Sequence, residues 1–340
     1  MARSLLILAS LAKDAVAGLD FVQVKELGGQ DEGKFDSVLL TSVAGNHYVL
    51  RSPANADAVA ELDAELKVIR LLSNSRDKLP FTFTDVMGVA EEPNGRRSYL
   101  FNFVYGNPIE VGAIDASSSL VGSIARNVAA IHNLPRNLVE TAGLPQYAPV
   151  DIVRGRITEL DRAAQTGRVP GVVLSRWERA LEDVNLFRFQ TTVIHGNLNG
   201  DNLLEQDEAV SGVLNLGSLR IGDPAEDLAW LMSGEDEDLA YNLLLAYQRE
   251  RVSADANLRQ RANLYSELML ARLLLQGLAL GDEVDVENAV SYLLLLAANV
   301  ESGIAPSLAP TGMAPHVDLA EPIDAESGLL EEPKAQDDLF

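Results

Sequence analysis

The chain of 340 residues is 47% hydrophobic and 23% charged, the size and balance of one large or two smaller globular domains with a substantial core. Its net charge of −23 opposes binding to nucleic acid or to an anionic membrane surface, because either polyanion would repel it. With no cysteine, disulfides, thiolate catalysis and cysteine-bound zinc are excluded, and His47, His132, His195 and His316 show no metal-ligand spacing.

The first predicted element is a helix. Leu5, Leu8, Leu11, Ala12 and Ala15 recur at helical spacing, and Lys13 and Asp14 interrupt the apolar run before it reads as a secretory or membrane-spanning segment. The expectation is an amphipathic first helix on a cytoplasmic protein. Strands follow over 21–27, 35–43 and 47–51, with a glycine-rich turn at 28–33 and a tight connection at 44–46. Val59, Leu62, Leu66, Ile69 and Leu72 mark one face of a helix over 57–72. Two more strands fit 82–89 and 97–104. Residues 1–104 thus read as a small five-stranded lobe, and Tyr105-Gly106-Asn107-Pro108 as a hinge. The larger lobe, 109–303, is mainly helical. Helices are predicted at 117–132, 154–165 and 174–183, then strand, loop and strand over 191–217, then helices from 223 to about 301. Residues 265–280 and 286–300 are apolar on most sides, which predicts burial. From 304 to 340 the chain is rich in Pro, Ala, Gly and acids without period, which predicts a disordered acidic tail. Two lobes of this α+β kind place a cleft at their junction.

One stretch carries chemistry: His195-Gly196-Asn197-Leu198-Asn199-Gly200-Asp201-Asn202-Leu203-Leu204. A polar turn at 205–209 separates it from Gly212-Val213-Leu214-Asn215-Leu216-Gly217. A hairpin of these two arms brings Asn197, Asn202 and Asn215 to one end of a strand pair. In phosphoryl transfer such an end holds one acid that orients or deprotonates the acceptor hydroxyl, and an Asn and a second acid that hold magnesium on the nucleotide phosphates.

These residues resemble the aminoglycoside and macrolide phosphotransferase family, a branch of the protein-kinase-like fold, and most closely its macrolide branch. The family's loop reads His-Gly-Asp-Leu-His-x-Gly-Asn-Leu-Leu, and its metal motif Gly-Val-Ile-Asp-Trp. Its further segment is intact here as Gly222-Asp223-Pro224-Ala225-Glu226-Asp227-Leu228-Ala229. The helix ending Ala129-Ala130-Ile131-His132, and Tyr48-Val49-Leu50-Arg51 followed by a helix carrying Glu65, fit the same pattern. The resemblance spans roughly residues 15–300 and implies a two-lobed kinase-like fold, with ATP or GTP and magnesium as cofactors.

The departures fall on the chemistry. Asn197 stands where the family has its catalytic aspartate, Asn215 where it has the magnesium aspartate, and Asn199 where it has a second His; Asn202 matches. An amide accepts no proton at neutral pH and brings no charge to a divalent ion. The resemblance therefore implies a pseudokinase in which nucleotide binding is weak or absent. Its remaining nucleotide site would be Arg51 paired with Glu65, the loop at Gly28 and Gly29, and the chain near Phe101 and Phe103. Arg51 can also be an ordinary surface residue at a strand end, and 28–33 an ordinary hairpin turn whose Asp31 and Glu32 would repel phosphate. Asp201 can replace the missing carboxylate only if it points with Asn202, and neighbours in an extended loop point apart. Asp223 is expected to cap a helix start and Asp227 to brace the loop, with His195 a hydrogen-bonding brace rather than a base. Three functions remain open: a degenerate phosphotransferase that keeps some nucleotide or small-molecule binding, an active phosphotransferase on a small hydroxylated substrate, and a non-nucleotide scaffold with a protein partner.

Overall fold

The computed structural model describes residues 3–27, 33–92, 95–232, 236–251 and 255–311. The small lobe is a five-stranded antiparallel sheet of β1 (Phe21–Glu26), β2 (Phe35–Ser42), β3 (His47–Pro53), β4 (Val86–Glu91) and β5 (Arg97–Asn102), in the order β1-β2-β3-β5-β4. Side chains alternate across a strand, so one sequence serves two faces. Val38, Leu40, Leu50 and Leu100 meet Leu8, Leu11 and Ala12 of the first helix, α1 (Leu5–Ala15). Their neighbours Phe35, Val49 and Arg51 turn to the opposite face, toward the cleft. There α2 (Ala56–Ser73) buries Leu62, Leu66, Ile69 and Leu72. The Asn55 side chain accepts from the Ala58 N–H at 2.9 Å, one of the bonds a helix start otherwise lacks.

The large lobe holds α3 (Ser119–His132), α4 (Arg136–Thr141), α5 (Pro149–Gln165), α6 (Gly171–Glu182), α7 (Glu237–Glu250), α8 (Leu258–Leu280) and α9 (Glu283–Glu301). Short strands sit against them: β6 (Asn107–Pro108), β7 (Thr192–Ile194), β8 (Leu203–Gln206), β9 (Ala209–Val213) and β10 (Arg220–Gly222). β8 and β9 form the expected hairpin. Its two turn residues, Asp207 and Glu208, adopt φ of 53° and 56°, the left-handed pair that suits a tight hairpin. A two-residue strand, Asn107–Pro108, pairs with Glu205 and Leu204, so half of the predicted hinge is anchored to the large lobe.

Several expectations need correction. The strand expected over 82–89 begins at Val86; Thr82 instead exchanges backbone hydrogen bonds with Ser211 and Val213 and ties the lobes together. The helix expected from 154 begins at Pro149, whose fixed φ suits a first helical position. α4 is an additional helix, only 6 residues long and too short to show an apolar period. Residues 286–300 are not buried on most sides. Val286, Ala289, Leu293 and Ala297 face inward, whereas Tyr292, Leu294 and Leu295 are more than half exposed. The last helix is covered on one side only, so its leucines outnumber its inward positions. The predicted tail starts too early: Leu308 is buried, Pro306 O accepts from Arg176 at 2.5 Å, and the Thr311 N–H donates to Asn257 Oδ1 at 2.7 Å. The rest of that tail, 312–340, lies outside the described residues. No described helix is long and apolar enough to cross a membrane.

Candidate active site

Between the lobes lies a cavity of about 1240 Å³, lined from above by Phe35, Val49, Arg51, Glu65, Phe101 and Phe103, and from below by Asp201, Asn202, Leu204, Leu214 and Asn215. Arg51 reaches it because strand parity turns it away from α1. Its Nη1 donates to Glu65 Oε2 at 2.5 Å, both groups are buried, and the guanidinium lies 4.2 Å from the Phe35 ring centre. Arg51 is therefore not the surface residue that its strand-end position also allowed. Phe101 is buried at the back, and Phe103 meets Tyr105 and His47 edge to face. Gly28 and Gly29 lie outside the described residues; Gly33, from the same turn, lines the cavity.

The loop below is not extended. Residues 200–202 form a turn of 3-10 helix, and the Asn199 side chain caps it by accepting from the N–H groups of Asp201 and Asn202, each at 3.1 Å. This turn separates Asp201, which is exposed, from Asn202, which is fully buried. Asp201 still borders the cavity. In the family motif its place belongs to Gly, so the carboxylate is an addition.

Asn202 is bonded at both ends. Its Nδ2 donates to the Asn197 carbonyl at 2.7 Å, and its Oδ1 accepts from Asn215 Nδ2 at 2.5 Å. Asn215 sits at φ 54° and ψ 47°, a left-handed conformation that Asn adopts more readily than most residues. The three amide residues are thus brought together, with Asn197 joined through its backbone. The Asn197 side chain is exposed and makes no hydrogen bond among the described residues.

Behind the loop, Asp227 is completely buried. Oδ2 accepts from the His195 N–H at 2.6 Å and lies 3.0 Å from His132 Nε2, and Oδ1 accepts from the Gly196 N–H at 2.8 Å. Burial alone would raise the pKa of this carboxyl, but the hydrogen bond from His132 and the others outweigh it and hold it below the usual value. His195 is buried too, and that burial pushes its pKa down against the pull of Asp227. Its neutral ring donates from Nε2 to Leu214 O at 2.8 Å, which joins the loop to the arm carrying Asn215. Asp223 does accept from the Ala225 N–H, as expected of a cap, but it also takes Arg261 through Nε and Nη2 and the Tyr265 hydroxyl. Burial, with Asp223 beside it, keeps that hydroxyl far above its ordinary pKa.

Some residues that shape the site carried no local signal. Tyr247 meets His132 Nδ1 at 2.6 Å, and Arg261 joins Asp223 to Asp255. Arg220 donates to Gly196 O at 2.9 Å and pairs with Glu226, which also holds Arg156. Gly196 is required here: its φ is 80°, and a Cβ would fall 1.9 Å from Arg220 Nη1. Among the described residues no group of three or more His, Asp or Glu can hold a metal ion.

Solved structures share this fold. The macrolide 2'-phosphotransferase MphH from Brachybacterium faecium is 21% identical, with a TM-score of 0.68 over 85% of this chain and 97% of its own. A type I macrolide 2'-phosphotransferase is 26% identical, with a TM-score of 0.70 over 86% and 98%. An aminoglycoside 2'-phosphotransferase-IIIa, solved with GDP, is 16% identical, with a TM-score of 0.71 over 88% and 100%, a likeness of fold. No curated protein matches the chain. Residues 30–263 match the family described as phosphotransferase enzyme family, APH, and this covers well over half of the 340 residues. The kinase-like two-lobed fold, the cleft between the lobes and this match agree: the chain belongs to the APH phosphotransferase family.

Proposed function

We propose that this protein is a degenerate phosphotransferase, one that keeps a nucleotide-type cleft but does not carry out efficient phosphoryl transfer. The observation that carries the reading is Asn197. Its loop is braced by Asp227 and His195, yet the side chain presented at the position of the base is a neutral amide. His195 cannot replace it, because it is buried and already bonded to Leu214 O. The absence of a positioned base costs about 10²–10⁴ in rate, or roughly 3–5 kcal/mol of barrier. The residues present suit a nucleotide better than they suit its metal. The buried Arg51–Glu65 pair and the apolar wall of Phe101 and Phe103 would hold the nucleotide. Magnesium does not fit, since Asn215 aims an N–H at Asn202 Oδ1, the oxygen that would have to face the ion.

Asp201 supports a second reading, an active enzyme on a small hydroxylated substrate, because its carboxylate borders the cavity. One experiment separates the two. Wild type, Asn197→Asp/Asn215→Asp and Asp201→Asn are assayed for ATP- and GTP-dependent phosphorylation of a macrolide and of kanamycin, with nucleotide binding followed by thermal shift. The leading reading expects nucleotide to stabilise wild type without turnover. Wild-type turnover abolished by Asp201→Asn would establish the second reading. Binding of no nucleotide by wild type or double variant would leave a partner-binding role for the cleft.

A further inference from the structure

We infer that the Asn215–Asn202 amide hydrogen bond stands in for the divalent ion, so that the cleft is closed on its floor by a neutral bond and any nucleotide it takes is bound without magnesium. The inference rests on the degenerate-phosphotransferase reading for its ligand, but on the geometry of the amides alone for the bond itself.

The polarity of this chain of bonds is fixed at one end. The Asn197 carbonyl can only accept, so Asn202 must turn its Nδ2 toward it, at 2.7 Å. That leaves Asn202 Oδ1 facing Asn215. Two oxygens at such a distance repel unless a proton or a cation lies between them. Asn215 supplies the proton from its own Nδ2, at 2.5 Å. Asn202 is fully buried, so an unmet Oδ1 would be costly, and the second amide removes that cost with no ion. The backbone supports the same arrangement: Leu214 N–H donates to Asn202 O at 2.9 Å, which holds the two residues side by side. An aspartate at 215 has no N–H to give. Asn202 could not flip to serve it without setting its own oxygen against the Asn197 carbonyl. The carboxylate and the amide oxygen would then need a cation between them.

The test compares wild type, Asn215→Asp and Asn215→Leu in EDTA, in magnesium and in manganese at matched ionic strength, reading the melting temperature and the loss of free manganese signal by electron paramagnetic resonance. Wild type is expected to melt at the same temperature in all three and to bind no manganese. Asn215→Asp is expected to melt about 2–6 °C lower in EDTA and to recover with either ion. Asn215→Leu, with neither N–H nor charge, is expected to melt lower in EDTA and not to recover. Saturable manganese binding by wild type overturns the inference, and this measurement stands even if a variant fails to fold. So does an Asn215→Asp that ignores cations, or an Asn215→Leu that responds to them. Nucleotide added to wild type in EDTA keeps the two readings apart. A cation response confined to Asn215→Asp, with no nucleotide bound by wild type, supports the amide bond while removing the nucleotide reading.

Discussion

The fully buried Asp227 side chain accepts hydrogen bonds from the backbone N–H groups of His195 and Gly196 and contacts His132. Asparagine at this position would turn an NH₂ group toward at least one of these donors and leave it unpaired. Asp227→Asn is expected to lower stability by about 3 kcal/mol in urea titration; a loss under about 1 kcal/mol would mean that the loop is held by other contacts. The lowered pKa values of Asp227 and His195 give the protein an acid-sensitive side. His195 titrates near 6.5 when unfolded and lower when folded. Below 6.5 the unfolded chain therefore binds the extra proton, and stability falls as pH falls. Asp227 adds stability that is present above its unfolded value of 3.8 and is lost as pH falls through the still lower folded value. His195→Gln keeps a donor for Leu214 O but does not titrate. It should flatten the dependence of unfolding free energy on pH below 6.5. An unchanged slope would show that other groups set it.

At the scale of elements, α6 and α8 are joined through polar side-chain contacts. Trp177 on α6 is fully buried, and its Nε1 donates to Glu267 on α8 at 2.8 Å. The adjacent Arg176 grips the same carboxylate through Nε and Nη2 and also holds Pro306 O, so α6, α8 and the segment after α9 share one junction. Trp177→Ala leaves a large void and removes one of the hydrogen bonds to Glu267, whose carboxylate Arg176 still holds. It is expected to cost about 3–5 kcal/mol, measured by denaturant unfolding. Trp177→Phe should cost less, and equal losses from the two would assign the effect to the hydrogen bond rather than to volume.

The whole molecule is acidic, with 27 basic residues against 50 acidic ones. Some of the basic residues form compact clusters with acids, Arg3 with Asp36 and Glu92 and Arg156 with Glu159 and Glu226 among them, and others, such as Lys13 with Asp20, form single exposed pairs. The remaining acids repel one another across the surface, and salt screens that repulsion at separations beyond about 10 Å. The melting temperature is therefore expected to rise between low and physiological salt; a fall would mean that the ion-pair clusters contribute more than the repulsion costs.

Periodicity in the sequence was enough for α2, whose apolar stripe has one possible inward face, and for the alternating strands of the small lobe. Motif resemblance placed the loop at 195–204 and the residues missing from it. It did not supply the 3-10 turn that parts Asp201 from Asn202, because that turn depends on the Asn199 side chain closing on backbone N–H groups. Nor could local sequence show that Asn202 spends both ends of its amide on Asn197 and Asn215. The apolar composition of residues 286–300 suggested burial, yet what surrounds a helix is set by its neighbours. The chemical groups that line the cleft are legible in the sequence: amides at 202 and 215, a carboxylate at 201, and the Arg51 and Glu65 side chains. What those groups do to one another depends on contacts between segments remote in sequence. His132 reaches Asp227, and Arg261 reaches Asp223, across long stretches of chain, and hydrogen bonds act over about 3 Å whatever the separation in sequence.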